Sequence, residues 1–206
     1  MIKPKFYSSH RVRSSIQSSP EIYKDDNDYL QCIEDNSRNI LEIGFGTGSS
    51  VKQMYESNKN NHYCIESYAL GIRNLSKYIS KHEIKNIFLF QGDAIDIIES
   101  KIPDYSMNEI LIFFPDPWPK SRHHKRRLLN NYSIDLIFKK IKKDGVFHFA
   151  SDHINYSYQT KKLLSEHLGE IINFSSNRRH RPVTNYEERG LSKGNFIFDI
   201  VVKKKD

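Results

Sequence analysis

Asp116 stands in the segment Phe113-Phe114-Pro115-Asp116-Pro117-Trp118-Pro119-Lys120, and a dense run follows it: Arg122, His123, His124, Lys125, Arg126 and Arg127. An apolar stretch, Ile110 to Phe114, leads straight into this segment. Proline fixes its own φ and donates no backbone hydrogen bond, so three prolines here exclude both helix and inner strand. The segment therefore reads as a stiff loop at a strand end. It presents one rigidly held carboxylate, one tryptophan and a cationic run suited to phosphates. The bland alternative is a solvated basic loop that only opens the next helix, because charge runs commonly serve solubility. A loop built from Pro-Asp-Pro-Trp-Pro-Lys is hard to explain that way. Trp118 can stack on a nucleobase or simply pack beneath the loop.

Four further carboxylates, Glu42, Glu66, Asp93 and Asp152, each follow an apolar run. Asp and Glu often cap helices, which accounts for one or two of them. A row of five converging on one sheet edge points to a ligand site. The elements that would carry them alternate. Strands are predicted at Ile40–Ile43, His62–Glu66, Ile87–Phe90, Ile110–Phe114, Gly145–Ala150, Ile171–Phe174 and Asn195–Lys203. Helices are predicted from Ser49, over Tyr68–Lys81, Ala94–Glu99, Arg126–Lys142 and Asn155–Leu168. Repeated βα units with short loops give an α/β fold, a mostly parallel seven-stranded sheet with helices on both faces. Ligands of such sheets bind beyond the carboxyl ends of the strands, where strand order reverses.

The remaining composition narrows the class. The chain has 206 residues, a net charge of +7 and a sequence pI of about 9.2, which favours an anionic partner, nucleic acid first. No apolar run reaches the roughly 18 residues of a membrane span. The start, Met1-Ile2-Lys3-Pro4-Lys5, does not read as a signal peptide, so a cytoplasmic location is expected. Two cysteines, Cys32 and Cys64, without a Cys-x-x-Cys pair, predict neither disulfide nor metal. Residues 1–37 read as a basic extension, with Arg11, Arg13 and a short helix over Pro20–Ile33, ahead of a domain over 38–206. Monomer and homodimer both stay open.

The first strand ends in Gly44-Phe45-Gly46-Thr47-Gly48, a tight turn that lets a ligand approach the backbone closely. A dinucleotide site requires Gly-x-Gly-x-x-Gly, and Ser49 fills the last position, which disfavours a nicotinamide enzyme. Glu42, just before the turn, repels an anion and suits a cationic amine. Glu66 lies 20 residues past Gly46, as expected for a carboxylate chelating ribose hydroxyls. Asp93, with Ala94 after it, can accept from an adenine amine. Ribose, adenine and ammonium together describe S-adenosyl-L-methionine, whose sulfonium also favours carboxylates.

Leu41 to Gly48 resembles the first motif of class I methyltransferases. Pro115 to Lys120 with Arg122 to Arg127, and Thr184-Asn185-Tyr186-Glu187-Glu188-Arg189-Gly190, resemble the bacterial tRNA (guanine-N7)-methyltransferase family. Ser151-Asp152-His153 fits that family's fifth strand end, and the resemblance spans about Arg11 to Val202. It implies a Rossmann-like class I methyltransferase that uses S-adenosylmethionine to methylate tRNA, at guanine 46 of the variable loop. It further implies that Glu42, Gly44, Gly46, Gly48, Glu66, Asp93, Ala94 and Asp116 meet the cofactor, with Asp116 as catalytic residue. Lys120, Asp152, Thr184, Asn185, Tyr186 and Glu187 are implied to hold the guanosine. Arg122, His123, His124, Lys125, Arg126 and Arg127 are implied to contact RNA. Two rival readings are a methyltransferase acting on a protein or small molecule, and an RNA-binding scaffold without catalysis.

Overall fold

The computed structural model describes residues 30, 33, 37–167 and 169–205. Seven strands form one sheet: β1 Asn39–Ile43, β2 Asn61–Glu66, β3 Ile87–Gln91, β4 Met107–Phe113, β5 Ile141–Ser151, β6 Gly169–Ser175 and β7 Phe198–Lys204. The helices are α1 Ser49–Asn58, α2 Ala69–Lys81, α3 Ala94–Lys101, α4 Asn131–Lys140, α5 Ile154–His167 and α6 Asn185–Ser192, with a 3-10 helix over Ser121–Arg126.

The strand order is β3-β2-β1-β4-β5-β7-β6, parallel through β5, with β7 antiparallel to both its neighbours. The chain winds outward from β1 to β3, then crosses back to lay β4 against β1. The strand order reverses there, and the carboxyl ends of β1 and β4 flank the resulting crevice. Both faces of the central strands are covered, so β1 and β2 read as near-continuous buried runs. Leu41, Ile43, Ile110, Ile112, Phe147 and Phe149 pack against Ile98 of α3, Ile134, Ile137 and Phe138 of α4, and Leu164 of α5. Val51 and Tyr55 of α1 and Ile72, Leu75 and Ile79 of α2 cover the opposite face over Cys64, Ile87 and Leu89. Cys64 is a buried free thiol; Cys32 lies outside the described residues. Among the described residues no helix is long and apolar enough to cross a membrane.

The structure departs from expectation in three places. The helix predicted over Arg126–Lys142 is split. The 3-10 helix ends at Arg126, and α4 begins only at Asn131. The cause is Asn130, whose side chain accepts from Ser133 N while Ser133 Oγ accepts from Asn130 N, a reciprocal cap that fixes the start. The strand β5 then begins directly at Ile141, four residues before the predicted Gly145. Thirdly, a helix absent from the predicted elements, α6, begins right after Thr184. Thr184 caps α6, its Oγ1 accepting from Glu187 N at 3.2 Å, so Thr-x-x-Glu is in part the ordinary signature of a helix start. Of the expected extension 1–37, most lies outside the described residues. Leu30 and Ile33 are helical and pack with the main core.

Candidate active site

The glycine turn after β1 holds Gly44, Gly46 and Gly48 at φ of 78°, 59° and 83°, a left-handed path that side chains resist. Gly44 N donates to Ile65 O at 2.8 Å, which pins the turn to β2. The first turn of α2 lies directly on it. A Cβ added to Gly71 would sit 1.9 Å from Gly46 O, so α2 can approach only because residue 71 lacks a side chain. Sequence reasoning passed over Gly71, since a lone glycine near a helix start carries no motif.

Glu66 ends β2 and faces this turn. Its Oε2 accepts from Gly46 N at 2.7 Å, and its Oε1 accepts from Ser67 N at 2.7 Å and Tyr68 N at 2.9 Å. Glu42 is only 2% exposed. Its Oε1 accepts from Ser50 Oγ at 2.5 Å, while its Oε2 is buried without a hydrogen-bond partner. Desolvation pushes its pKa from 4.5 to about 7, with the Ser50 hydrogen bond pulling it down and nearby Glu66 raising it further. A buried, unsatisfied carboxylate oxygen is costly and waits for a donor. An ammonium group would satisfy both its charge and its hydrogen-bonding capacity.

These groups line one cavity of about 370 Å³ at the crevice between β1 and β4. It collects Glu42, Gly44, Gly46, Glu66, Ala94, Asp116, Arg126, Thr184, Asn185 and Tyr186 from the predicted set, together with Trp118 and Arg189. Asp116 is exposed to it from the prolyl loop, beyond Phe114, which turns the chain at φ 50°. Trp118, also left-handed at φ 44°, packs under the Arg126 guanidinium at 5.0 Å and edge-on to His123 at 6.0 Å. The tryptophan thus both supports the 3-10 helix and lines the cavity. Desolvation and the cations Arg126, Arg122, Lys120 and Lys125 hold His123 below its ordinary pKa.

Other predicted residues lie off the cavity wall. Gly48 caps α1. Lys120, Arg122 and Lys125 are exposed on and beside the 3-10 helix, with His123 and His124 also on it. Asp152 accepts from Asn195 Nδ2 at 2.9 Å. Three predicted groups are engaged within the protein. Asp93, expected at an adenine, caps α3, its Oδ1 accepting from Ile95 N at 2.7 Å and from Asp96 N. Its neighbours Gly92 and Ala94 line the cavity and it does not.

Arg127, expected on RNA, is 2% exposed. Its Nε donates to Pro117 O at 2.8 Å, its Nη1 to Asn155 Oδ1 at 3.0 Å and to Gln159, and its guanidinium covers the Tyr156 ring at 4.8 Å. It fastens the loop carrying Asp116 onto α5. Glu187, expected on guanosine, is buried and already paired with Arg181 at 2.5 Å.

That last contact belongs to a network the sequence reading missed. Arg181 is buried; its Nε and Nη2 donate to Asp199 at 2.5 and 2.7 Å, and its Nη1 to Glu187. Asp199 also contacts His148 Nε2 at 2.8 Å. Burial opposes the charge on Arg181, but Asp199 and Glu187 outweigh it and raise the guanidinium pKa. Burial likewise raises Asp199, but Arg181 and His148 win and hold it below 3.8. The guanidinium also lies 5.8 and 5.5 Å from the rings of Phe113 and Phe114, and Phe114 stacks on Tyr186 at 6.5 Å. One buried arginine therefore joins β7 to the exit of β4 and to α6, two walls of the site. The available signal was Asp199 itself, a charge inside the apolar run Phe198–Val202, which requires a partner.

Among the described residues no cluster of His, Cys, Asp or Glu could hold a metal ion. A family model described as "Putative methyltransferase" matches residues 36–200. The tRNA (guanine-N(7)-)-methyltransferase of Francisella tularensis subsp. novicida is 37% identical over 181 residues, which cover 86% of this chain and 79% of that protein. The enzyme of the same name from Nitrosococcus oceani is 39% identical over 168 residues, covering 80% and 71%. A SAM-dependent methyltransferase from Aquifex aeolicus shares the fold at a TM-score of 0.56 and 10% identity, covering 87% of this chain and 89% of that one. The sheet order, the glycine turn with its carboxylates and these likenesses agree: the chain belongs to the tRNA (guanine-N7)-methyltransferase family, built on the Rossmann-like fold of S-adenosylmethionine-dependent methyltransferases.

Proposed function

We propose that this chain transfers a methyl group from S-adenosylmethionine to N7 of a guanosine in tRNA, guanine 46 of the variable loop, in the cytoplasm. The domain doing so spans 38–206, with 1–37 as a basic extension. The observation that carries the reading is one cavity holding the orphaned Glu42 oxygen on its β1 side and Asp116, beside Trp118 and Arg126, on its β4 side.

The residues fit the cofactor. Glu42 receives the ammonium, Glu66 the ribose hydroxyls, and the wall at Gly92 and Ala94 accommodates the adenine. When bound, the cofactor supplies a methyl group on a positively charged sulfur. Guanine N7 carries an available lone pair, so no residue need remove a proton first. Methyl transfer to N7 would leave positive charge on the purine. Asp116 faces that charge and accepts from the base N–H donors. Its contribution is preorganised electrostatics, together with alignment. Thr184, Asn185 and Tyr186 on α6 close the opposite wall. Arg122, Lys125 and Arg126, with His123 and His124, meet the phosphates, while Lys120 and Asp152 stand at the rim for the guanosine.

Nucleoside analysis of an unmodified tRNA transcript after incubation with protein and S-adenosylmethionine tests the reading, with 7-methylguanosine as the expected product. A transcript carrying adenosine at position 46 should remain unmethylated. Methylation of protein but not tRNA would overturn the assignment.

A further inference from the structure

Beyond Asp152, the rim of the site continues into an array of aromatic rings, Tyr158 and Phe196 exposed and Phe174 and Phe198 half-buried, that the mechanism above does not use. Tyr158 on α5 meets Phe174 of β6 at 5.3 Å and Phe198 of β7 at 5.9 Å, both edge-on. Phe174 stacks on Phe198 at 5.6 Å, and Phe196 tilts against Phe198 at 4.7 Å. Tyr158 is 53% exposed, Phe196 54% and Ile154, one turn before Tyr158, 61%. Large apolar groups clustered at a surface mark an interaction site.

Two observations identify the occupant. The first is charge. Lys161 holds its ammonium 4.2 Å over the Phe174 ring, and Lys162, 78% exposed on α5, lies 3.9 Å from Glu166 in a surface ion pair. Aromatic rings interleaved with cations suit the π-faces and phosphates of unpaired nucleotides. The second is continuity. Phe198 pairs with Ser151, and Asn195, next to Phe196, holds the Asp152 carboxylate. Gly190 of α6 packs so closely that a Cβ there would lie 3.0 Å from Asp152. The array thus begins where the guanosine wall ends.

We propose that Tyr158, Phe196 and Phe198, with Lys161, form a stacking platform for unpaired tRNA nucleotides flanking the methylated guanosine. The inference rests on the tRNA reading above and adds a surface opposite in character to the cationic 3-10 helix. Stacking releases few counterions, so this surface should contribute affinity with little salt dependence, whereas the arginines contribute the salt dependence.

The test is titration of the full chain with an unmodified tRNA transcript at several salt concentrations. Tyr158→Ala combined with Phe196→Ala should weaken binding roughly tenfold. The slope of log affinity against log salt, cofactor binding and sedimentation mass should stay as in the wild type. Tyr158→Phe with Phe196→Trp, which keeps both rings, should bind normally. If the double alanine variant melts early, Phe196→Ala alone, half exposed outside the strand, carries the test, with an expected loss of several-fold. Unchanged tRNA affinity in a folded variant, with the wild type active on tRNA, overturns this inference alone. A shift from dimer to monomer at unchanged tRNA affinity does the same, making the array a self-association surface. A wild type that binds no tRNA overturns the functional reading as well.

Discussion

Replacing Glu42 by glutamine should stabilise the protein and disable it. In the native state the Glu42 carboxyl is buried, and its pKa rises from 4.5 to about 7. The native protein therefore keeps a proton that the unfolded chain has already lost between these values. Stability falls as pH rises through that window and stays lower above it. That rise from 4.5 to about 7 makes the cost about 3 kcal/mol at pH 8. Glutamine cannot ionise, so Glu42→Gln should be more stable at pH 8 by up to about 3 kcal/mol, or roughly 6–12 °C in Tm for a chain of this size. Near pH 4.5 the two proteins should melt together. The same carboxylate awaits the ammonium of the cofactor, which favours the ionised form. Cofactor binding to the wild type should therefore release a proton below pH 7 and strengthen as pH rises toward 7, then level off. The variant should bind weakly and without that pH dependence. Thermal melts at pH 4.5, 6 and 8 and calorimetric titration with S-adenosylmethionine measure both effects. A variant no more stable than wild type at pH 8 would show that Glu42 is not a strained buried acid.

The other perturbations separate architecture from chemistry. Arg181→Met strands the buried Asp199 and Glu187 carboxylates, so it should cost about 3–5 kcal/mol in urea denaturation; a loss under 1 kcal/mol would refute the buried network. Asp116→Asn should lower turnover at saturating cofactor and tRNA by about 10²–10³ with an unchanged melting temperature; near-normal turnover would reduce Asp116 to a loop residue. Arg122→Ala with Lys125→Ala should lower the salt slope of tRNA binding by roughly one to two units. Arg127→Ala, by contrast, should leave that slope alone and lower stability, which denaturation and salt titration together would check.

Much of the fold was legible because its signals are local. Buried parallel strands are short apolar runs, and β1 to β4 sit within a few residues of their predicted places. The gathering of Glu42, Glu66 and Asp116 around one cavity could be anticipated because a strand end, a glycine turn and a fixed spacing mark them. What escaped depends on where side chains point, and spacing along the chain does not report that. In Arg122 to Arg127 all six residues look alike in sequence, yet the last turns inward because Pro117 O, Asn155 and Gln159 offer it acceptors from elements 10 to 32 residues away. Asp93 looked like its neighbours in the acidic row, but a residue that opens a short helix meets the orphaned amides of that helix before any ligand.

The same logic reassigns the late motif. In sequence Thr184 and Glu187 read as ligand groups. In the fold, Thr184 starts a helix and Arg181 binds Glu187 and Asp199 beneath it. The cavity wall of α6 is then held from below by charge while its outward residues Asn185, Tyr186 and Arg189 face the cavity. Arg127 does for the prolyl loop what Arg181 does for α6. In both cases a buried guanidinium supplies several donors at fixed angles, so it can fix a loop or helix that has little apolar surface of its own. Arg122 stays exposed in the basic run, while Arg127 and Arg181 are buried under the two segments that shape the site. A basic composition alone does not report that division.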